Sequence, residues 1–243
     1  MRYAIYFTPP SSDALLKVAS NWLGRDAFNG EPVKTPAIRA LAKDEIAALT
    51  EEPRRYGFHA TMKAPFRLAD GHDESALLSA LMHFSSSVGA VTIPRLRVEA
   101  IGPFFALTPE APVTALNQLA NDVVVALDRF RAPLSEAEIA RRRPERLSLA
   151  QRHNLERWGY PYVFDEFRFH MTLTGPVAEK DRARVERTLD DFFAPVLDEP
   201  VEVANLALFV EPERGAPFEI HSLHPLSGGP VSAQPPRRAM GRP

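Results

Sequence analysis

Residues 58–65 read Phe-His-Ala-Thr-Met-Lys-Ala-Pro, and residues 169–176 read Phe-His-Met-Thr-Leu-Thr-Gly-Pro. Both follow one frame: Phe, His, any residue, Thr, an apolar residue, a polar one, a small one, Pro. Each is followed by a short loop, a helix pattern and another strand pattern, so the likeness covers a supersecondary unit rather than eight letters. His59 and His170 stand 111 positions apart in a chain of 243. Duplication of one lobe explains that spacing economically.

Strand geometry gives the repeat its chemistry, because side chains alternate faces. Phe58, Ala60 and Met62 fall on one face, and His59, Thr61 and Lys63 on the other. In the second copy Phe169, Met171 and Leu173 face the core, with Arg168, His170, Thr172 and Thr174 opposite. Two such surfaces meeting across a cleft suit in-line displacement at phosphorus. One neutral imidazole removes a proton from the attacking oxygen, and a second, protonated, donates to the leaving oxygen. Thr61 and Thr172 are placed to bind the non-bridging oxygens, with Lys63 or Arg168 offsetting the added charge. Histidine serves both roles because its pKa lies near ~6.5. Each copy supplies only one good metal ligand, so neither a metal nor a cofactor is expected.

Around these strands the chain alternates short strands and helices. Strand patterns cover Tyr3 to Phe7, Tyr56 to Lys63, Val91 to Ile101 with a break near Pro94, Gly102 to Leu107, Phe167 to Thr174, Val201 to Val210 and Phe218 to Leu223. Helical spacing runs from a Ser11 or Ser12 cap to Leu23, then through Ile38 to Leu49, Glu74 to Val88, Val113 to Phe130 and Glu179 to Phe193. Ser135 with Glu138, and Ser148 with Gln151, spell capping boxes. The last two strands can pair as a hairpin across Pro212 to Gly215. Pro65 and Pro176 are expected to end the motif strands. This grammar predicts an α+β fold with mainly antiparallel sheet. Residues 1–226 form one bilobal domain on this reading, and the Pro- and Gly-rich stretch 227–243 is expected to be a disordered tail.

Composition narrows the function classes. The chain has no cysteine, which excludes a disulfide scaffold, a cysteine nucleophile and a thiolate metal site. Its 29 basic and 31 acidic residues give a formal charge of −2, which argues against non-specific nucleic-acid binding. No run approaches the ~18 apolar residues of a membrane span, and the apolar stretch after Arg2 is too short for a signal peptide. The chain reads as soluble and cytoplasmic, with no membrane partner. Protein partners and oligomeric state are not written in the sequence.

The two His-any-Thr motifs resemble those for which the 2H phosphoesterase superfamily is named. RRYGFHATMKAPFRL around His59, WGYPYVFDEFRFHMTLTGP around His170 and the opening RYAIYFTPP look like its branch associated with phosphonate-metabolism operons, formerly a domain of unknown function. The resemblance runs over nearly all of Met1 to Leu226. It implies a duplicated, bilobal fold with two small antiparallel sheets flanked by helices around a central cleft. It also implies metal-independent phosphodiester chemistry, with His59 and His170 as acid and base and Thr61 and Thr172 as phosphate ligands. The expected substrate is a small cyclic phosphate, for the phosphonate branch a ribose cyclic phosphate. The alternatives are an enzyme of RNA ends, acting on 2′,3′-cyclic phosphates or as a 2′,5′ ligase, and a nucleotide-binding module without turnover.

Beyond the motifs, Arg55 and Tyr56 are candidates for substrate contact, Tyr56 as a ring that stacks on a base or sugar beside a chain breaker. Tyr160 and Tyr162 share that position near the second motif. Arg141 to Arg143 form the only arginine triplet, for which a solvated helix face is the default and whose role the sequence leaves open. The five histidines outside the frame read as surface or structural residues.

Overall fold

The computed structural model describes residues 1–228. Strands β1 (Arg2–Phe7), β2 (Ala60–Phe66), β4 (Leu96–Ile101), β5 (Phe104–Pro109), β6 (Met171–Thr172), β8 (Asn205–Glu211) and β9 (Glu219–Pro225) form one sheet. Their order is β4-β5-β6-β2-β1-β8-β9, with every neighbouring pair antiparallel. β3 (Val91–Ile93) and β7 (Val201–Val203) pair as a separate ribbon. The helices are α1 (Ala14–Leu23), α2 (Lys43–Tyr56), α3 (Glu74–Ser87), α4 (Thr114–Leu127), α5 (Glu136–Arg141), α6 (Leu149–Trp158) and α7 (Arg182–Leu197). The α+β class and the mainly antiparallel sheet are as the sequence predicts.

The two sheets implied by the resemblance are joined into one surface. Strands β4-β5-β6 make one half and β2-β1-β8-β9 the other, meeting at a seam where a single pair, Ala60 opposite Met171, is in register. Pairing gives backbone groups on the inner edges of both halves a partner. Ala60 and Met171 are equivalent positions of the repeat, separated by the same 111 residues as the histidines. A local twofold axis therefore passes between them.

Period-two alternation sets which groups lie beneath the seam. On β1, Tyr3, Ile5 and Phe7 enter the main core, while Ala4 and Tyr6 join a second cluster with Ala207, Phe209 and Phe218 on the opposite face. The central strands β1 and β8 are thus buried on both sides. The second cluster supports the face of the sheet that carries His59, which stacks on Tyr6, and each buried aromatic there contributes about 1.5–3 kcal/mol.

Several boundaries differ from the sequence patterns for identifiable reasons. Helix α1 is capped by Asp13, whose carboxylate accepts from the Leu15 N–H at 2.7 Å, rather than by Ser11 or Ser12. Helix α2 continues to Tyr56 through Pro53, past the expected stop at Leu49. Proline has no N–H to offer the carbonyl four residues back. That carbonyl, on Leu49, accepts instead from the Gly175 N–H at 2.6 Å, tying the end of the second motif to the helix that precedes the first. Both capping boxes form, as does the β8–β9 hairpin. Ser227 and Gly228 donate to the carbonyls of Ser85 and Val88; the rest of the expected tail, 229–243, lies outside the described residues. Among the described residues no helix is long and apolar enough to cross a membrane.

Candidate active site

Helix α2 ends at Gly57, whose φ of +75° and ψ of 177° turn the chain into β2. A Cβ there would lie 2.5 Å from the Cβ of Ala27, so both backbone conformation and space call for glycine. The turn aims the Gly57 carbonyl at the first motif, where it accepts from His59 Nδ1 at 2.9 Å. In the second copy the Arg168 carbonyl accepts from His170 Nδ1 at 2.8 Å. A carbonyl only accepts, so each imidazole carries its proton on Nδ1 when neutral, leaving Nε2 to exchange protons. The Thr61 hydroxyl lies 3.4 Å from His59 Nε2.

Continuing the register at the seam sets Thr172 across from His59 and His170 across from Thr61. A cavity of about 310 Å³ opens over this face, lined by His59, Thr61 and Thr172. The motif ends line it too: Ala64 and Pro65 from one copy, Thr174, Gly175 and Pro176 from the other. His170 is not among the lining residues; it stands beside them, its ring 6.0 Å from that of lining residue Phe104.

Burial lowers the pKa of both imidazoles. For His59 it falls to about 4, with the nearby His170 charge contributing in the same direction. His59 lies on the Tyr6 ring, centroids 4.0 Å apart, with Tyr56 at 5.9 Å, so water has little access to its faces. His170 is lowered as well, through burial and the Arg168 charge. Both shifts favour the neutral imidazole.

The structure redistributes the predicted cations. Lys63 does not face the cleft. The β1–β2 register slips twice, with Tyr6 opposite Thr61, Ile5 opposite Lys63 and Tyr3 opposite Phe66, each slip adding a residue to β2. Such bulges invert the alternation. They bury Lys63 behind the sheet, where Nζ donates to Asp128 Oδ1 at 3.0 Å and to the Val124 carbonyl at 3.3 Å. They also accommodate Pro65 inside β2, where the sequence pattern puts a strand end. Arg168 is half exposed and bridges Glu99 at 2.6 Å, lining a different depression. Its carbonyl orients His170, while its guanidinium is turned to Glu99. Thr174 borders the cleft, but its hydroxyl is occupied by the Phe105 N–H at 3.0 Å. The predicted strand Phe167 to Thr174 shortens to Met171–Thr172, because Leu173 and Thr174 both donate to the Phe105 carbonyl.

Tyr56 does border the cleft, stacked on Phe218 at 5.0 Å. Arg55 lies outside it, paired with the buried Glu211 and donating to the Ala216 carbonyl at 3.2 Å. The cations that do line the cleft are Arg2, itself paired with Glu211, and Arg142, whose guanidinium sits 5.0 Å over the Tyr160 ring. Glu52 adds a carboxylate. The arginine triplet is the sequence signal for Arg142. Nothing in the sequence points to Arg2 or Glu52, which reach the cleft from a strand end and a helix face. Among the described residues no group of three His, Asp or Glu side chains is arranged to hold a metal ion.

A family model described as a protein of unknown function, DUF1045, matches residues 61–219. A ribose 1,5-bisphosphate phosphokinase PhnN from Janthinobacterium sp. (strain Marseille) is 39% identical over 232 residues, covering 93% of this chain and 51% of that protein. A protein of the same name from Laribacter hongkongensis (strain HLHK9) is 37% identical over 223 residues, covering 90% and 50%. The chain spans about half the length of these curated relatives. Among solved structures, TT0787 of Thermus thermophilus aligns with a TM-score of 0.43 at 15% identity, covering 94% of this chain and 99% of that one. A structure described as a phosphoesterase aligns with a TM-score of 0.40 at 13% identity, covering 93% and 98%.

Proposed function

The chain belongs to the DUF1045 family, and from the geometry of its cleft we propose that it is a metal-independent phosphodiesterase opening a small cyclic phosphate ester. The observation that carries this reading is the seam. Equivalent residues of two His-any-Thr strands lie opposite each other, and both imidazoles hold their Nδ1 proton on a carbonyl two residues back. A site that only binds phosphate has no need of two groups set to exchange protons.

In this mechanism the phosphate lies between the strands, with Thr61 and Thr172 hydroxyls on its non-bridging oxygens and Arg142 compensating its charge. The bound anion raises the pKa of the nearby imidazoles, and one of them takes up a proton. His59, the more strongly depressed, stays neutral and accepts a proton from the attacking water at Nε2. As the new P–O bond forms, the ester bond opposite breaks, and His170 Nε2 protonates the leaving oxygen. Each turnover passes one proton from water to His59 and one from His170 to product. Exchange with solvent restores both.

The substrate we favour is ribose 1,2-cyclic phosphate 5-phosphate. Breaking its bond to O2 leaves ribose 1,5-bisphosphate, the compound in the name of the relatives. This chain carries no Gly-x-x-x-x-Gly-Lys-Ser/Thr phosphate loop, so we assign the kinase chemistry of those longer proteins to their other half. One half would then make what the other consumes. Glu52 is placed to accept a hydrogen bond from a sugar hydroxyl.

The test is hydrolysis of this ester and of 2′,3′-cyclic nucleotides in EDTA, with the His59→Ala/His170→Ala double variant as control. Selective turnover of the ribose ester supports the assignment. Preference for the nucleotides moves the chain to RNA-end chemistry. Activity in the control, or its loss in EDTA, overturns the mechanism.

A further inference from the structure

Beside the catalytic cleft lies a second cavity, of about 400 Å³, sharing Arg2, Tyr56, Pro65 and Arg142 as a common wall. Arg55, Arg141 and Arg214 complete its cationic lining, so five guanidiniums surround one space. The one carboxylate in the lining, Glu138, is already engaged by Arg67 at 3.2 Å and by the Ser135 N–H at 2.8 Å. Burial works against its charge, yet those bonds hold its pKa down to about 2. Glu211 lies beneath, buried, and takes up Arg2 and Arg55.

Three guanidiniums therefore lack a carboxylate among the described residues: Arg142 stacked on Tyr160, and the exposed Arg141 and Arg214. The backbone gathers them from distant places. Arg143 takes a φ of +49°, turning the chain sharply just after α5, and Arg214 comes from the β8–β9 hairpin. Like charges gathered without a counter-ion repel one another, and the forked guanidinium matches phosphate oxygens in bidentate fashion.

We propose that this annex is a subsite for a second, non-reacting phosphate monoester, so that the chain selects substrates bearing a terminal phosphate besides the ester being opened. The proposal rests on the phosphodiesterase reading for its link to turnover, but not for binding. A dianion in the annex neutralises two of the unpaired cations and anchors the far end of the substrate, while the shared wall leads its reacting end to His59 and Thr172.

The experiment uses Arg141→Ala/Arg214→Ala, two exposed positions without an ion pair whose removal leaves the fold intact. For ribose 1,2-cyclic phosphate 5-phosphate the KM rises about 10- to 100-fold, the worth of one charge-assisted hydrogen bond, with kcat nearly unchanged. For the same ester lacking the 5-phosphate, KM stays as in wild type. Equal changes for both esters, or none for either, overturn the subsite. Calorimetric titration with ribose 5-phosphate gives a readout free of turnover. Wild type and His59→Ala/His170→Ala bind alike, and the arginine variant binds at least about 10-fold more weakly. If neither ester is hydrolysed while the titrations still separate, the phosphodiesterase reading fails and the subsite stands. Equal affinity in wild type and the arginine variant removes the subsite whatever the turnover.

Discussion

Strand β2 is paired along most of its length with β1, whereas its repeat partner β6 is two residues long and held between β5 and β2. The first histidine sits on a tyrosine ring in a doubly buried part of the sheet. The second stands beside Phe104 on the more exposed half. The carbonyl that orients His59 comes from a glycine locked by Ala27, and the one that orients His170 from an arginine held by Glu99. Four identical letters out of eight thus produce the same hydrogen bond by different means. The duplicated strands keep one hydrogen-bond geometry while their surroundings diverge, and in the proposed mechanism divergent burial gives two identical groups separate roles.

The sharpest way to break the comparison is to remove each imidazole. His59→Ala and His170→Ala should each lower kcat by about 10²–10⁴. If one of them turns over normally, the two copies are not partners in chemistry. Next in size, Thr61→Val and Thr172→Val should each cost about 10²-fold in kcat by removing a phosphate donor. Thr174→Val should leave kcat near wild type, since that hydroxyl serves Phe105.

Differences in burial predict a pH profile. The proposed mechanism needs His59 neutral and His170 protonated in the free protein, so kcat/KM should rise as pH climbs through about 4 and fall as pH climbs through the His170 pKa, below 6.5. The bell therefore lies on the acid side of 6.5 whichever imidazole is the base, and an optimum above pH 7 would show that these two groups are not the acid and base. The same depression has a stability sign. A His59 pKa below its unfolded value stabilises the fold fully above about pH 6.5, and that contribution is lost as pH falls toward 4. His59→Gln should flatten the acid side of a plot of Tm against pH.

Two smaller effects sharpen the contrast. Gly57→Ala should destabilise by about 1–3 kcal/mol through strain at positive φ and reduce kcat by displacing the carbonyl behind His59. Arg168→Ala should do much less, because the backbone carbonyl behind His170 remains. Lys63→Met should lower stability by about 1.5–3 kcal/mol with kcat unchanged, as measured by denaturant titration beside a rate assay. A large loss of kcat in Lys63→Met with stability intact would return that lysine to the cleft.

Much of the site is legible in the sequence because it is local. The frame around His59 and His170 sits in contiguous residues, and period-two alternation places His and Thr together without knowledge of anything distant. Alternation misplaces Lys63 for a reason of the same kind: it holds only while the register does, and a bulge is set by the partner strand. Arg168 and Arg55 cannot be placed locally because the acid that claims each arginine lies far along the chain, at Glu99 and Glu211. Arg142 is visible only as part of a triplet, since its place depends on the turn at Arg143 and on the Tyr160 ring.

The duplicated unit, the mainly antiparallel α+β class and the two pairs of His and Thr are legible in the sequence, the first from a repeat spaced by 111 residues and the others from short-range periodicity. Tertiary structure alone decided that the halves join in one sheet at Ala60 and Met171, that Pro53 frees a carbonyl for Gly175, and which arginines surround the cleft. Those outcomes depend on pairing between segments far apart in the chain, where desolvation and charge neutralisation select partners that no local pattern encodes.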